Sequence, residues 1–363
     1  MSLYSIIHDD PEIRNGLKAR VVRPKIVFDR SIQAQPLTEN YQIVGTAFDY
    51  LLRFFLQRVN GHAQTSRWVA EIGVELVGDS PDRVYDDDES CGGEISPRYR
   101  EAAAYLRDAK RRHQAYLKSG VVTDELLVAA LRLAYLDVAR RVGPDRVDWV
   151  RLKSPDPKDA EDLRRLLALA EKQPLFKKSR LCALNPKFGA ASMLVGGADA
   201  DLVLDGCLID IKTTKYPRLD PRDFYQLIGY YLLYGFDGID CSDSKTTGHE
   251  INSLAIYFSR FGYLWKFSVD EVLPPDTVAA TAKWFFESVC PSKADRLKYL
   301  GGFHGPLAKY LSESKKGAVK TPMPISAKGR GKNQLMSNSR SSGRAGSIAS
   351  KPLPVAARRS PKR

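Results

Sequence analysis

Residues 199–213 read DADLVLDGCLIDIKT, two short apolar runs joined by Asp205-Gly206. Asp-Gly is a strong signal for a two-residue hairpin turn, whose central residues both need positive φ. A turn at that point fixes a register. Leu204 lies opposite Cys207, Val203 opposite Leu208, Leu202 opposite Ile209, Asp201 opposite Asp210, Ala200 opposite Ile211 and Asp199 opposite Lys212. Side chains alternate along a strand. One face is therefore predicted to carry Ala200, Leu202, Leu204, Cys207, Ile209 and Ile211, a set fit for a core. The other carries Asp199, Asp201, Asp210 and Lys212, with Val203 and Leu208 nearer the turn.

The polar face poses a physical problem. Directly opposed residues have Cβ atoms roughly 4.5–5.5 Å apart, and like charges so placed are destabilising. Asp201 and Asp210 need a cation between them, or a raised pKa on one of them. A hard divalent ion of the Mg²⁺ type takes one or two carboxylates together with water and phosphate oxygens. Lys212, two residues after Asp210, projects to the same side, where an ammonium can offset charge on a phosphodiester. The competing arrangement is a plain solvent-facing sheet edge with an Asp199–Lys212 ion pair.

The remainder of the chain reads as α/β, with strands and helices interleaved around a mixed sheet. Apolar residues recur at helical spacing over 41–59 (Val44, Ala47, Phe48, Leu51, Leu52, Phe55, Val59). Further helices are expected over about 98–118, 123–141, 158–172, 221–234 and 276–289. Strands are expected at 200–204, 207–213, 253–259 and 263–268, the last two joined at Arg260–Gly262. Residues 1–40, broken by Pro11, Pro24 and Pro36, read as irregular. The acidic run Asp86-Asp87-Asp88-Glu89 reads as a solvated loop, with a divalent-ion site as the alternative. The basic residues of the helix expected over about 98–118 read as a phosphate-contacting face or, balanced by Glu101 and Asp108, as an ordinary solvated one.

Asp201 followed by Asp210-Ile211-Lys212 resembles the PD-(D/E)xK nuclease motif, in which an Asp begins one strand and D/E-x-K sits on the next. Gln226-Leu227-Ile228-Gly229-Tyr230, on the helix that follows, resembles the QxxxY motif of the RecB-type branch. Residues four apart share a helix face. The resemblance implies a restriction-endonuclease-like mixed sheet flanked by helices. It implies Mg²⁺ or Mn²⁺ held by Asp201, Asp210 and the Ile211 carbonyl, with Asp199 a rival first acid and Gln226 and Tyr230 contacting the nucleic acid. The branch's upstream Gly-x-x-x-His corresponds to Gly45 to Asp49, so an Asp replaces the His. Asp49 is a possible further ligand, or simply an i,i+4 ion-pair partner of Arg53, with Gly45 permitting close helix packing. The helical stretch at about 98–172 matches no part of the branch and reads as an insertion. The expected activity is DNA phosphodiester hydrolysis, RNA not being set apart. The alternatives are a nuclease fold kept for binding or recruitment without hydrolysis, and a phosphoesterase acting on a small substrate. No GxxxxGK[ST] loop occurs, so any helicase motor or defence-system partner would be another polypeptide.

Charge and composition set the rest. The net charge is +13, but residues 312–363 hold thirteen Lys and Arg against Glu313, which leaves residues 1–311 near neutrality. That tail, rich in Ser, Gly, Pro and basic residues, is expected to be disordered and either a polyanion-binding arm or a solubilising one. Residues 1–311 are expected to form the nuclease-like domain. The five cysteines follow no metal or cluster spacing and fit a reducing cytoplasm. No apolar run of about 18 residues occurs, so no membrane span is expected.

Overall fold

A computed structural model describes residues 2–26, 28, 30–79, 96–216, 218–241, 244–246, 250–290 and 292–312. The acidic run at 86–89, Cys91 and the tail from 313 lie outside the described residues. The chain is an α/β protein around a mixed, open, six-stranded sheet. Its strands are β1 (Gln64–Thr65), β2 (Cys182–Leu184), β3 (Leu202–Leu204), β4 (Cys207–Lys212), β7 (Ser253–Phe258) and β8 (Tyr263–Ser268), in the order β1-β2-β3-β4-β7-β8. A separate ribbon pairs β5 (Ile239–Cys241) with β6 (Ser244–Thr246). The β1–β2 and β4–β7 pairs are parallel and the others antiparallel.

The hairpin turn is where Asp205-Gly206 places it, with φ of 45° and 77°. The Asp205 carboxylate accepts hydrogen bonds from the backbone N–H of Arg180 and Leu181, which holds a non-glycine residue in the left-handed region. The ladder then pairs Leu204 with Cys207, Val203 with Leu208 and Leu202 with Ile209, as the register requires.

Helices cover both faces of the sheet. On one lie α3 (Tyr41–Val59), α4 (Val69–Gly78), α5 (Pro97–Ser119), α6 (Asp124–Arg141) and α8 (Pro157–Ala170), packed on Leu202, Leu204, Cys207, Ile209, Ala255 and Tyr257. The short α7 (Trp149–Lys153) joins α6 to α8. The helical stretch at 98–172 supplies most of one covering layer. Its basic residues are largely balanced, since Asp108 pairs with Arg111 and Arg112, Glu71 with Lys110 and Glu101 with Lys153.

The opposite face buries Val203, Leu208, Leu254 and Ile256 beneath α1 (Leu3–Asp9), α2 (Pro11–Arg20), α10 (Pro221–Asp237) and α12 (Pro275–Val289). The one-turn α9 (Ala191–Leu194) precedes β3. The short α11 (Val269–Val272), α13 (Lys293–Leu300) and α14 (Ala308–Ser312) complete the described chain, so helix persists to the start of the expected tail. Residues 1–40 are not irregular throughout. Asp10 caps α2 by accepting from the N–H of Glu12 and Ile13, and Pro11 occupies the first helical position, where a missing N–H does no harm. Ala200 also departs from expectation by joining the core on the α10 side, because the β3–β4 ladder stops at Leu202. Among the described residues no helix is long and apolar enough to cross a membrane.

Candidate active site

Strand β4 runs from its buried start into a half-buried end, and its last residues carry the site. Asp210 points to the same side as Leu208, under α10, and is 4% exposed. Ahead of β3 the chain peels away from β4: the Asn185 N–H donates to the Asp201 carbonyl and the Ala200 N–H to that of Pro186. Asp201 thus lies outside the β3–β4 ladder, but its side chain still reaches β4, accepting from the Ile211 N–H at 2.5 Å. Asp199 is exposed, and its backbone bridges to that of Lys187 instead of facing Lys212.

Three carboxylates share this end of the sheet. Burial, then the charges of Asp210 and Asp49, push the Asp201 carboxyl well above the usual carboxylate range. Burial also raises Asp210, against the pull of Lys212. Asp49, near the middle of α3, gives one oxygen to Arg53 at 2.6 Å, so the expected i,i+4 ion pair does form. Its other oxygen, Oδ1, is buried with no hydrogen-bond partner. Gly45, one turn earlier, passes Thr213, but a methyl group there would meet the Thr213 Cβ at an ordinary 3.5 Å, so close packing does not demand glycine.

Lys212 is the cation of the site. Its Nζ lies 3.0 Å from Asp210 Oδ2 and 3.1 Å from Asp223 Oδ1. Burial opposes the ammonium, yet those two acids more than compensate and hold its pKa above the ordinary lysine value. Nζ also donates to Gln226 Oε1 at 3.4 Å, and Gln226 Nε2 donates to the Tyr230 hydroxyl at 2.7 Å. Helix α10 makes this line possible. Asp220 caps it, Pro221 starts it, and Asp223, Gln226 and Tyr230 then recur every three to four residues along the face turned to β4. Gln226 and Tyr230 are 6% and 7% exposed, so the Gln226 amide meets Lys212 and the Tyr230 hydroxyl meets Gln226 rather than solvent. Asp223 belongs to the site as much as they do. In the sequence it looks like an ordinary acid in the first turn of a helix.

The residues suit a hard divalent cation. The donors are carboxylate oxygens; Asp49 Oδ1 is buried without a hydrogen bond, Asp210 Oδ2 is buried with only the Lys212 ammonium beside it, and burial together with its acidic neighbours raises Asp201. Among the described residues no three His, Cys, Asp or Glu side chains form a ready-made cage. Beside Lys212 a cleft of about 350 Å³ opens to solvent, lined by Thr213, Thr214, Tyr216, Arg218, Asp220 and Asp223. No protein-family model, curated protein or solved structure matches the chain.

Proposed function

We propose that the chain is a metal-dependent nuclease that hydrolyses DNA phosphodiester bonds, with a restriction-endonuclease-like core of the PD-(D/E)xK kind and RecB-type branch. The observation that carries the proposal is the convergence of Asp201, Asp210 and Lys212 on one end of β4, next to an open cleft. Mg²⁺ or Mn²⁺ held by Asp201, Asp210 and the Ile211 carbonyl, with Asp49 in reserve, would polarise the phosphoryl group and acidify the attacking water. Lys212 supplies a fixed positive charge for the phosphorane-like transition state, in a site where burial strengthens electrostatics. Asp223, Gln226 and Tyr230 orient that ammonium. The basic tail would add salt-sensitive, sequence-independent affinity. The four described cysteines are free and buried, which fits action in the cytoplasm, beside any separate motor or defence protein.

The test is incubation of the full chain with linear and circular DNA, single- and double-stranded, in Mg²⁺, Mn²⁺ and EDTA. Cleavage is expected with either metal and not with EDTA. Lys212→Ala is expected to abolish cleavage while DNA binding persists. Cleavage undiminished in that variant would refute the assignment.

A further inference from the structure

Among the described tyrosines, phenylalanines and tryptophans three are exposed, Tyr4, Tyr41 and Tyr216; Tyr216 lines the Lys212 cleft and Tyr41 is linked to it through Lys215. Tyr216, 53% exposed, lines it. Tyr41, 38% exposed, opens helix α3 and is tied to the cleft by Lys215, whose Nζ donates to its hydroxyl at 3.0 Å. Tyr4 stacks on His8 and lies within electrostatic reach of Arg222, beside Asp220. Single exposed aromatics are ordinary, but their gathering at one cleft is not scatter.

Cations accompany the rings. Lys215 Nζ sits 4.6 Å from the Tyr41 ring centroid and 5.4 Å from that of Tyr216, and the Arg218 guanidinium lies 5.5 Å from the Tyr216 centroid. The two acids of the cleft are each already paired, Asp223 with Lys212 and Asp220 with Arg222. Gln226 and Tyr230 are buried, so any grip on a nucleic-acid strand has to come from elsewhere.

We propose that Tyr41, Lys215, Tyr216 and Arg218 form a strand-gripping subsite that stacks unpaired bases of a single-stranded nucleic acid next to Lys212. An exposed ring offers stacking to any base, but only an unpaired base has a free face to give. The interleaved cations take the neighbouring phosphates. The proposal rests on the nuclease assignment for its purpose and names that site's substrate class.

The experiment measures binding by the full chain in EDTA, so that no cutting intervenes. Fluorescence anisotropy is read with a short labelled oligothymidylate, an abasic strand of the same length, and a duplex. The wild-type chain is expected to bind oligothymidylate more tightly than the abasic strand, since tail and phosphate contacts treat the two alike. Tyr41→Ala with Tyr216→Ala is expected to weaken oligothymidylate binding by about tenfold or more and leave abasic-strand binding unchanged. Both rings are at the surface, and Tyr216→Phe, which keeps the stacking face, is expected to bind like wild type. Equal wild-type affinity for the abasic strand, or an unaffected double variant, would overturn the subsite. An oligouridylate arm separates RNA from DNA, and tyrosine-dependent binding of either supports it. Lys212-dependent cleavage without tyrosine dependence keeps the nuclease and loses the subsite. Tyrosine-dependent binding without cleavage in any metal does the reverse.

Discussion

Arg260 and Asp162 form a bidentate ion pair, 2.8 and 2.9 Å, with each side chain only 1% exposed. The pair ties α8 to the β7–β8 connection, and Arg260 also donates to the Ala34 carbonyl at 3.1 Å. Its neighbour Ser259 hydrogen-bonds Thr213 at the rim of the cleft, so the pair fixes the helical layer to the working end of the sheet. At about 4 Å and an effective dielectric of about 20, two unit charges attract by about 4 kcal/mol. Removing both from water costs several kcal/mol per ion, so the pair as a whole stands near balance against an apolar replacement. Breaking it is different. Arg260→Met leaves Asp162 buried and uncompensated, with an expected loss of about 3–5 kcal/mol. With about 2.1 cal/mol/K of unfolding entropy per residue over roughly 300 residues, that is a fall in Tm of about 5–8 °C. Arg260→Met with Asp162→Leu removes the stranded charge and is expected to recover most of it. Thermal denaturation of the three chains decides the matter. A single variant within about 1 kcal/mol of wild type, or a double variant no better than the single, would refute this balance of desolvation against attraction.

Three more outcomes follow from the same contacts. Burial pushes the Asp137 carboxyl up to about 6, against the pull of Arg141 and the Tyr50 hydroxyl. Its unfolded value is about 3.9, so the associated stability is full below that pH and is lost as pH rises through about 6. Asp137→Asn, which can still accept from Tyr50, is expected to gain on wild type by up to about 3 kcal/mol above that window; a gap that does not widen across it in denaturation curves rules the effect out. Gly73→Ala would drive a Cβ into the Leu136 carbonyl where α4 crosses α6, with an expected loss of about 1–3 kcal/mol, and unchanged stability would show that the helices can part freely. Gln226→Ala is expected to lower kcat by about tenfold with KM changed by less than about twofold, because the amide contacts Lys212 rather than solvent; the opposite split would make it a strand contact after all.

Much of the fold is legible because local patterns fix it. The 3.6-residue period over 41–59 gives α3 to the residue, and the alternation over 263–268 gives β8 likewise. Asp205-Gly206 sets the hairpin register through the one conformation that pair favours. What escapes is structure whose reasons are distant. Helices α1 and α2 occupy a stretch that proline punctuation makes look irregular, and they persist because Leu3, Ile7, Ile13 and Leu17 pack into the core on the α10 side. The three-residue β2 carries too short a pattern to recognise and exists because Cys182–Leu184 pair with β3. The stretch at 98–172 reads correctly as helices, but its rank as a covering layer depends on which sheet face it meets.

The site divides along the same line. Asp210 and Lys212 are two residues apart on one strand, so strand alternation alone puts them together. Asp201 is found through the hairpin, although it reaches β4 by accepting the Ile211 N–H instead of continuing the ladder. Asp223 and the Tyr41–Lys215–Tyr216 group are invisible locally, because the first needs α10 laid against β4 and the second needs α3 brought beside the strand's end. Their tertiary origin also explains the site's electrostatics. A solvent-facing edge would let water screen Asp201 and Asp210, whereas α10 closes over that face, leaving Asp210 4% exposed and Asp201 half-buried, and weakens the screening. Covering the acids is what raises both of them, whereas Lys212 keeps its charge because Asp210 and Asp223 outweigh the same burial.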